Sequence, residues 1–291
     1  APMLDSDYLF GVILQNNTIH YLYPKKSRFG YYLNEVPFYF ENSKARLVSL
    51  NDYRCLKDPV NEGLRQSTLP GSQINDNVRT SNIMVRVSLD TLTAFFDARI
   101  NLSGQYSTLT RGLYQYDYKD ETINESYARK IFELNDKVRK ISQETKITNR
   151  EFPFPAVVKT RYQAGNLLKK NGDTIALDME KWFNHIIYSN LDTSNRQLDF
   201  YPDFCGKDTY TYFVQFDKNI KLISAVEPTS VQNEFGELVL NAEQVSPVAV
   251  KITSFFVTTN SRVPANKIAS VKQIYDKIRE MNNSRMLLKL E

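Results

Sequence analysis

Short runs of β-branched and aromatic residues, each closed by turn-forming residues, recur from one end of this chain to the other, and they constrain its fold more than any other feature. Such runs fit a pleated, half-buried surface. Tyr8–Leu14 and Thr18–Tyr23 flank Asn16-Asn17, and Ile19, Tyr21 and Tyr23 alternate with Thr18, His20 and Leu22, a pattern that predicts a hairpin. Gly30–Leu33, Val36–Phe40 and Arg46–Leu50 continue in extended form, with Pro37 marking an edge or a bend. Ile83–Val87, Leu92–Leu102 and Ala156–Ala164 read as further strands. Asn171-Gly172 sits between the apolar flanks of Leu167–Ile175 and is the strongest short hairpin signal in the chain. Thr209–Phe216 and Ile220–Ile223 predict another hairpin across Asp217-Lys218-Asn219, and Val248–Val257 a long strand.

Helical periodicity interrupts this pattern. Thr122-Ile123-Asn124-Glu125 has the form of a capping box. Ile123, Tyr127, Ile131, Leu134, Val138 and Ile141 then recur at spacings of four and three, predicting an amphipathic helix over about 122–145. After Pro264, the residues Ile268, Val271, Tyr275, Ile278 and Met281 define one face of a helix over about 265–289, with Met286-Leu287-Leu288 as its extension. Asp178 is placed to cap a third helix whose apolar face is Met179, Trp182, Phe183, Ile186 and Ile187. The expected fold class is α+β and β-rich, with mainly antiparallel, sandwich-like sheets and two or three amphipathic helices packed on them. No repeat and no alternating βαβ rhythm is present, which argues against Rossmann, TIM-barrel and solenoid folds.

The chain has 291 residues, 42% of them hydrophobic, enough to build a core and near the size at which single cores divide. Phe152-Pro153-Phe154-Pro155 cannot be helical and marks the expected boundary. On that reading 1–150 is a β-rich part ending in the first amphipathic helix, and 151–291 an α+β part with the C-terminal helix. Asn51–Ser81 is polar, is broken by Pro59, Gly63, Pro70 and Gly71, and reads as a long irregular connection.

Composition excludes some functions. Thirty-seven Lys and Arg against 33 Asp and Glu leave a net charge of +4, short of the concentrated positive charge that nucleic-acid phosphates call for. No apolar run approaches the roughly 18 residues of a membrane-spanning helix. Ala1-Pro2-Met3-Leu4-Asp5 has neither a basic nor a hydrophobic character, so no targeting segment is expected there. Cys55 and Cys205 have no metal-type spacing and are either two thiols or one disulfide.

Candidate sites are few. His20 falls in a strand and His185 beside an apolar helix face, positions of packed or surface histidines. No nucleophile elbow, Walker loop, dinucleotide fingerprint or zinc-protease helix occurs, so the sequence points to no catalytic residue, no metal and no cofactor. Asp199, Asp203 and Asp208 lie in one loop with Phe200, Tyr201 and Phe204. Three carboxylates could ligate a hard cation, or the aromatics could plug the core while the acids face water. Lys25, Lys26 and Arg28 lie near Tyr21, Tyr23, Phe29, Tyr31 and Tyr32, the mixture of cations and rings that single-stranded nucleic acid uses. The stripe Ile123, Tyr127, Ile131, Leu134, Val138 and Ile141 either docks on this chain's own sheet or contacts a second chain.

The expected function is that of a non-enzymatic structural or interaction protein, a subunit of a larger assembly such as a virion, secretion or surface apparatus, with protein partners or copies of itself. A hydrolase or transferase with a dispersed carboxylate site is the first alternative, and single-stranded nucleic-acid binding the second. The sequence leaves compartment and small-molecule ligands open.

Overall fold

The structure is a computed structural model that describes residues 9–16, 18–23, 32–47, 65–115, 138–165, 167–183, 191 and 193–291. Among these, β1 (Phe10–Ile13) and β2 (Ile19–Leu22) form the antiparallel hairpin expected at the start of the chain. β3 (Lys44–Leu47) and β4 (Arg65–Thr68) make a second small antiparallel sheet. Next come β5 (Val78–Ser88), β6 (Thr93–Leu102), the helix α1 (Gly104–Gln115), β7 (Val138–Ile147) and β8 (Ala156–Gly165). β9 (Leu168–Asn171), β10 (Thr174–Asp178) and the helical residues of α2 (Glu180–Phe183) precede β11 (Gly206–Phe216) and β12 (Ile220–Ser224). The chain closes with β13 (Thr229–Gln232), β14 (Gly236–Ser246), β15 (Ala249–Thr258), α3 (Ile268–Asn282) and β16 (Arg285–Leu290).

Eight strands form one sheet in the order β13-β14-β15-β11-β5-β6-β8-β7. It consists of two antiparallel blocks joined by one parallel pairing, β5 with β11, in register from Val78 opposite Lys207 to Val87 opposite Phe216. The sheet is therefore mixed, antiparallel at every pairing but this one, where the sequence suggests mainly antiparallel sheets. Burial alternates along its strands: in β5, Ile83, Val85 and Val87 point inward while Met84 and Arg86 point out. A second sheet of four strands, β12-β16-β10-β9, shares the main core with α2 and α3. Trp182 of α2 lies in that core, with ring centroids 6.3 Å from Phe96 of β6 and 5.3 Å from Tyr212 of β11.

Several expectations meet a different structure. Thr209–Phe216 and Ile220–Ile223 are strands but do not pair. Both edges of β11 are taken by β15 and β5, so β12 leaves the sheet and joins β16 instead. Met286–Leu288 does not extend the last helix. Its two-residue alternation, with Met286 and Leu288 fully buried, belongs to β16, which pairs with β10 and β12. Val138 and Ile141 lie in the strand β7, Ile141 at a register shift and 55% exposed, so no helix runs through them. The start of that expected helix, with Ile123, Tyr127, Ile131 and Leu134, lies outside the described residues. The connection from 51 to 81 contains β4 and the start of β5. Phe152–Pro155 lies in the turn between the neighbouring strands β7 and β8, and residues from both sides of it contribute to the main core. No described helix is long and apolar enough to cross a membrane.

Candidate binding site

At one end of the large sheet a cavity of ≈ 530 Å³ opens between the small sheets, the start of α1 and the turn joining β7 to β8. Ile19 and Tyr21 of β2, Val36, and Phe152 and Phe154 of the turn give it apolar walls. Asn34, Glu41, Ser67, Thr68, Gln105 and Thr108 add polar groups. Tyr21 and Val36 also belong to a small buried cluster with Leu69, so these walls rest on packed side chains. The Tyr21 hydroxyl lies 2.8 Å from Ser67 Oγ, which ties β2 to β4 across the cavity.

Local sequence explains why α1 begins here. Gly104 follows β6 with φ of +55°, and a Cβ at that position would stand 2.2 Å from Asn77 Oδ1 and 2.6 Å from the Asp76 carbonyl oxygen, so only glycine fits. Asn77 then acts as the cap from a distance: its Oδ1 accepts from the Gln105 amide at 2.7 Å, while its Nδ2 donates to Ser72 Oγ and the Cys205 carbonyl, each at 2.8 Å. The Gly104 amide donates to the Pro153 carbonyl at 2.6 Å, and Ser107 Oγ to the Phe154 carbonyl at 2.6 Å. Two amides of the first turn thus have internal acceptors.

The polar floor centres on Gln105, which is buried. Its Nε2 donates to the Val36 carbonyl at 2.8 Å and to Glu41 Oε1 at 2.5 Å, which fixes the orientation of the amide because both partners are acceptors. Gln105 Oε1 is buried and has no hydrogen-bond partner among the described residues. Glu41 Oε2 accepts from Ser72 Oγ at 2.8 Å. Beside this pair the buried Glu35 accepts from Thr108 Oγ1 at 2.5 Å and from the Tyr32 amide at 2.7 Å. Asn34 Oδ1 accepts from the Tyr21 amide at 2.9 Å, which leaves its Nδ2 to donate to His20 Nδ1 at 3.2 Å. None of these residues stood out in the sequence as a site. The signal that could have found them is Asn77 with Gly104: a strand-to-helix corner that needs a glycine and a distant cap.

The acidic loop is built into the structure at several separate points. Asp208 is 4% exposed and bidentate to Arg79, whose Nε donates to Oδ1 at 2.8 Å and Nη2 to Oδ2 at 2.5 Å. The Arg79 guanidinium also lies 5.1 Å and 5.0 Å from the ring centres of Tyr106 and Tyr210, and burial pushes the Tyr106 phenol well above its ordinary value. Asp199 accepts from Arg262 at 2.7 Å and from the Ala265 amide at 2.9 Å, contacts that hold its carboxyl below the usual range. Asp203 lies near Tyr275, whose phenol burial first and Asp203 second push up to about 12. Phe200 packs edge-on against Phe235 and Tyr275, and Phe204 against Tyr106. Among the described residues no group of three His, Cys, Asp or Glu side chains is arranged to hold a metal ion. Cys205 is a free thiol, which burial and then Glu41 push above its ordinary value. Lys25, Lys26, Arg28, Cys55 and His185 lie outside the described residues.

Residues 177–288 match the family model of a domain of unknown function with a solved structure, DUF3858. The matched segment runs from the end of β10 into β16 and includes the acidic loop, but none of the residues that line the cavity. No curated protein matches the chain. Among solved structures, a crystal structure described as a candidate protease from Parabacteroides distasonis is 15% identical with a TM-score of 0.30, over 35% of this chain and 20% of that one. This chain thus spans about a fifth of that protein's length.

Proposed function

We propose that this chain is a non-enzymatic interaction protein that works by holding a side chain or short segment of a partner polypeptide in the cavity beside α1. The observation that carries the reading is the cavity itself, apolar-walled, with a few convergent polar groups whose positions are fixed by their neighbours. Glu41 lines the cavity and is held by two donors, which suits it to orient a guest. The rest of the molecule serves as a support. On this reading the eight-stranded and four-stranded sheets face one another as a sandwich with α3 alongside, and present the cavity at one end.

Peptide display against the immobilised full chain tests the proposal, with counter-selection on a variant whose cavity mouth is filled by Thr68→Trp. Thr68 is exposed, so the substitution closes the entrance without touching the core. A recurrent motif retained by the native chain and lost on Thr68→Trp is the expected result. Equal enrichment on both proteins, or none on either, rejects the cavity as a polypeptide site.

A further inference from the structure

The chemistry of the cavity selects among guests. Gln105 Oε1 is a buried acceptor with no donor among the described residues, and the fixed amide orientation prevents a flip from supplying one. Glu41, half-buried, receives hydrogen bonds only from the neutral Gln105 amide and Ser72 hydroxyl, and no ion pair involves it among the described residues. The start of α1 would ordinarily favour an anion, yet the Gly104 and Gln105 amides are already engaged by Pro153 and Asn77. Among the described residues that line it, the cavity has no donor with positive charge. Its walls, with Tyr21, Val36, Phe152 and Phe154, are suited to methylene groups and to the face-on approach of a cation.

We infer that the cavity receives an alkyl guanidinium or ammonium group, its charged head toward Glu41 and Gln105 and its apolar stem along the aromatic wall. This rests on reading the cavity as a recognition site. The group could arrive on a partner polypeptide as an arginine or lysine side chain, or as a free basic amino acid, and the chemistry at the floor is the same in both cases.

Calorimetric titration of the full chain with N-acetyl-arginine amide, its neutral isostere N-acetyl-citrulline amide, and the headless N-acetyl-norleucine amide tests the inference. The arginine derivative is expected to bind at least about tenfold more tightly than the other two, and Glu41→Gln to remove most of that preference. Thr68→Lys, which puts a cation at the exposed mouth, is expected to weaken binding severalfold in low salt and less in high salt. It guards against a folding defect in Glu41→Gln. Free arginine binding far more tightly than the blocked amide identifies a free amino acid as the guest, and equal binding identifies a side chain.

Citrulline binding as well as arginine, an unchanged affinity in Glu41→Gln, or no heat with any probe overturns the inference. A displayed motif without basic residues would overturn it while leaving the polypeptide reading in place. Arginine binding that depends on Glu41, with no displayed motif, would do the reverse.

Discussion

Among single residues, Arg79 and Asp208 carry the largest stake. The pair lies at the parallel seam, Asp208 on β11 opposite Arg79 on β5, and both oxygens of the carboxylate meet the guanidinium. Burial works against the guanidinium charge, but Asp208 and Tyr210 outweigh it and hold Arg79 well above its ordinary value. Removing one member leaves the other charge buried without its partner, a loss of about 3–5 kcal/mol, whereas replacing both by apolar residues of similar volume is close to neutral. Urea titration of Asp208→Ala is therefore expected to show a loss of about 3–5 kcal/mol, and Arg79→Met with Asp208→Leu a much smaller one. A loss below about 1 kcal/mol in Asp208→Ala would mean that water reaches the pair. The same geometry explains why an acidic loop that reads as a cation site was ambiguous in the sequence: nothing near Asp208 in the chain announces Arg79, 129 positions away.

At the scale of elements, the hairpin expected around Asn171-Gly172 forms, with its turn at Gly172-Asp173, whereas the hairpin expected from Thr209–Phe216 and Ile220–Ile223 does not, and the difference is physical. Asn171 faces Thr174 across Gly172-Asp173, so the turn alone sets the register. Gly172 has φ of +58° and nothing within 4 Å of where a Cβ would stand. Gly172→Ala should thus cost about 1 kcal/mol from the backbone alone, seen as a lower urea midpoint with an unchanged slope. A neutral result would show that this turn relaxes. Between β11 and β12 the local turn loses to two long ladders, with β5 from far earlier in the chain and with β15 from beyond β14, a competition hidden from local pattern. β14 should have been readable, since Leu238, Leu240 and Ala242 alternate inward, but its flanking Gly236 and Asn233 lack the compact turn signal of Asn-Gly.

Asp178 fastens the same small sheet from the other end of β10. It accepts from Lys169 of β9 at 2.8 Å and from Arg285 of β16 at 2.7 Å, and these contacts, Lys169 first, hold its carboxyl below the ordinary 3.8. A depressed carboxylate contributes stability that is complete above its unfolded value and fades as pH falls through its folded one. Asp178→Asn should therefore be less stable than the native chain at pH 7, and the gap should close in titrations carried progressively below pH 3.8. A gap that persists in strong acid would assign the loss to packing instead of charge.

For the molecule as a whole, the question is whether the two antiparallel blocks act as one. The sequence suggested two parts meeting near residue 150, because Phe152–Pro155 breaks every regular pattern. Those prolines make only a turn between adjacent strands, and the blocks meet elsewhere, along the β5–β11 seam. Chain order could not reveal this, since a parallel pairing carries no turn to mark it. Trp182, the sole tryptophan, reports on the seam: it touches Phe96 in the first block and Tyr212 in the second. Shared burial of this kind couples the blocks, so tryptophan fluorescence and far-ultraviolet circular dichroism are expected to trace superimposable urea transitions. A separate early loss of dichroism, with Trp182 still buried, would show one block melting while the other stands, and would support two parts divided at the seam.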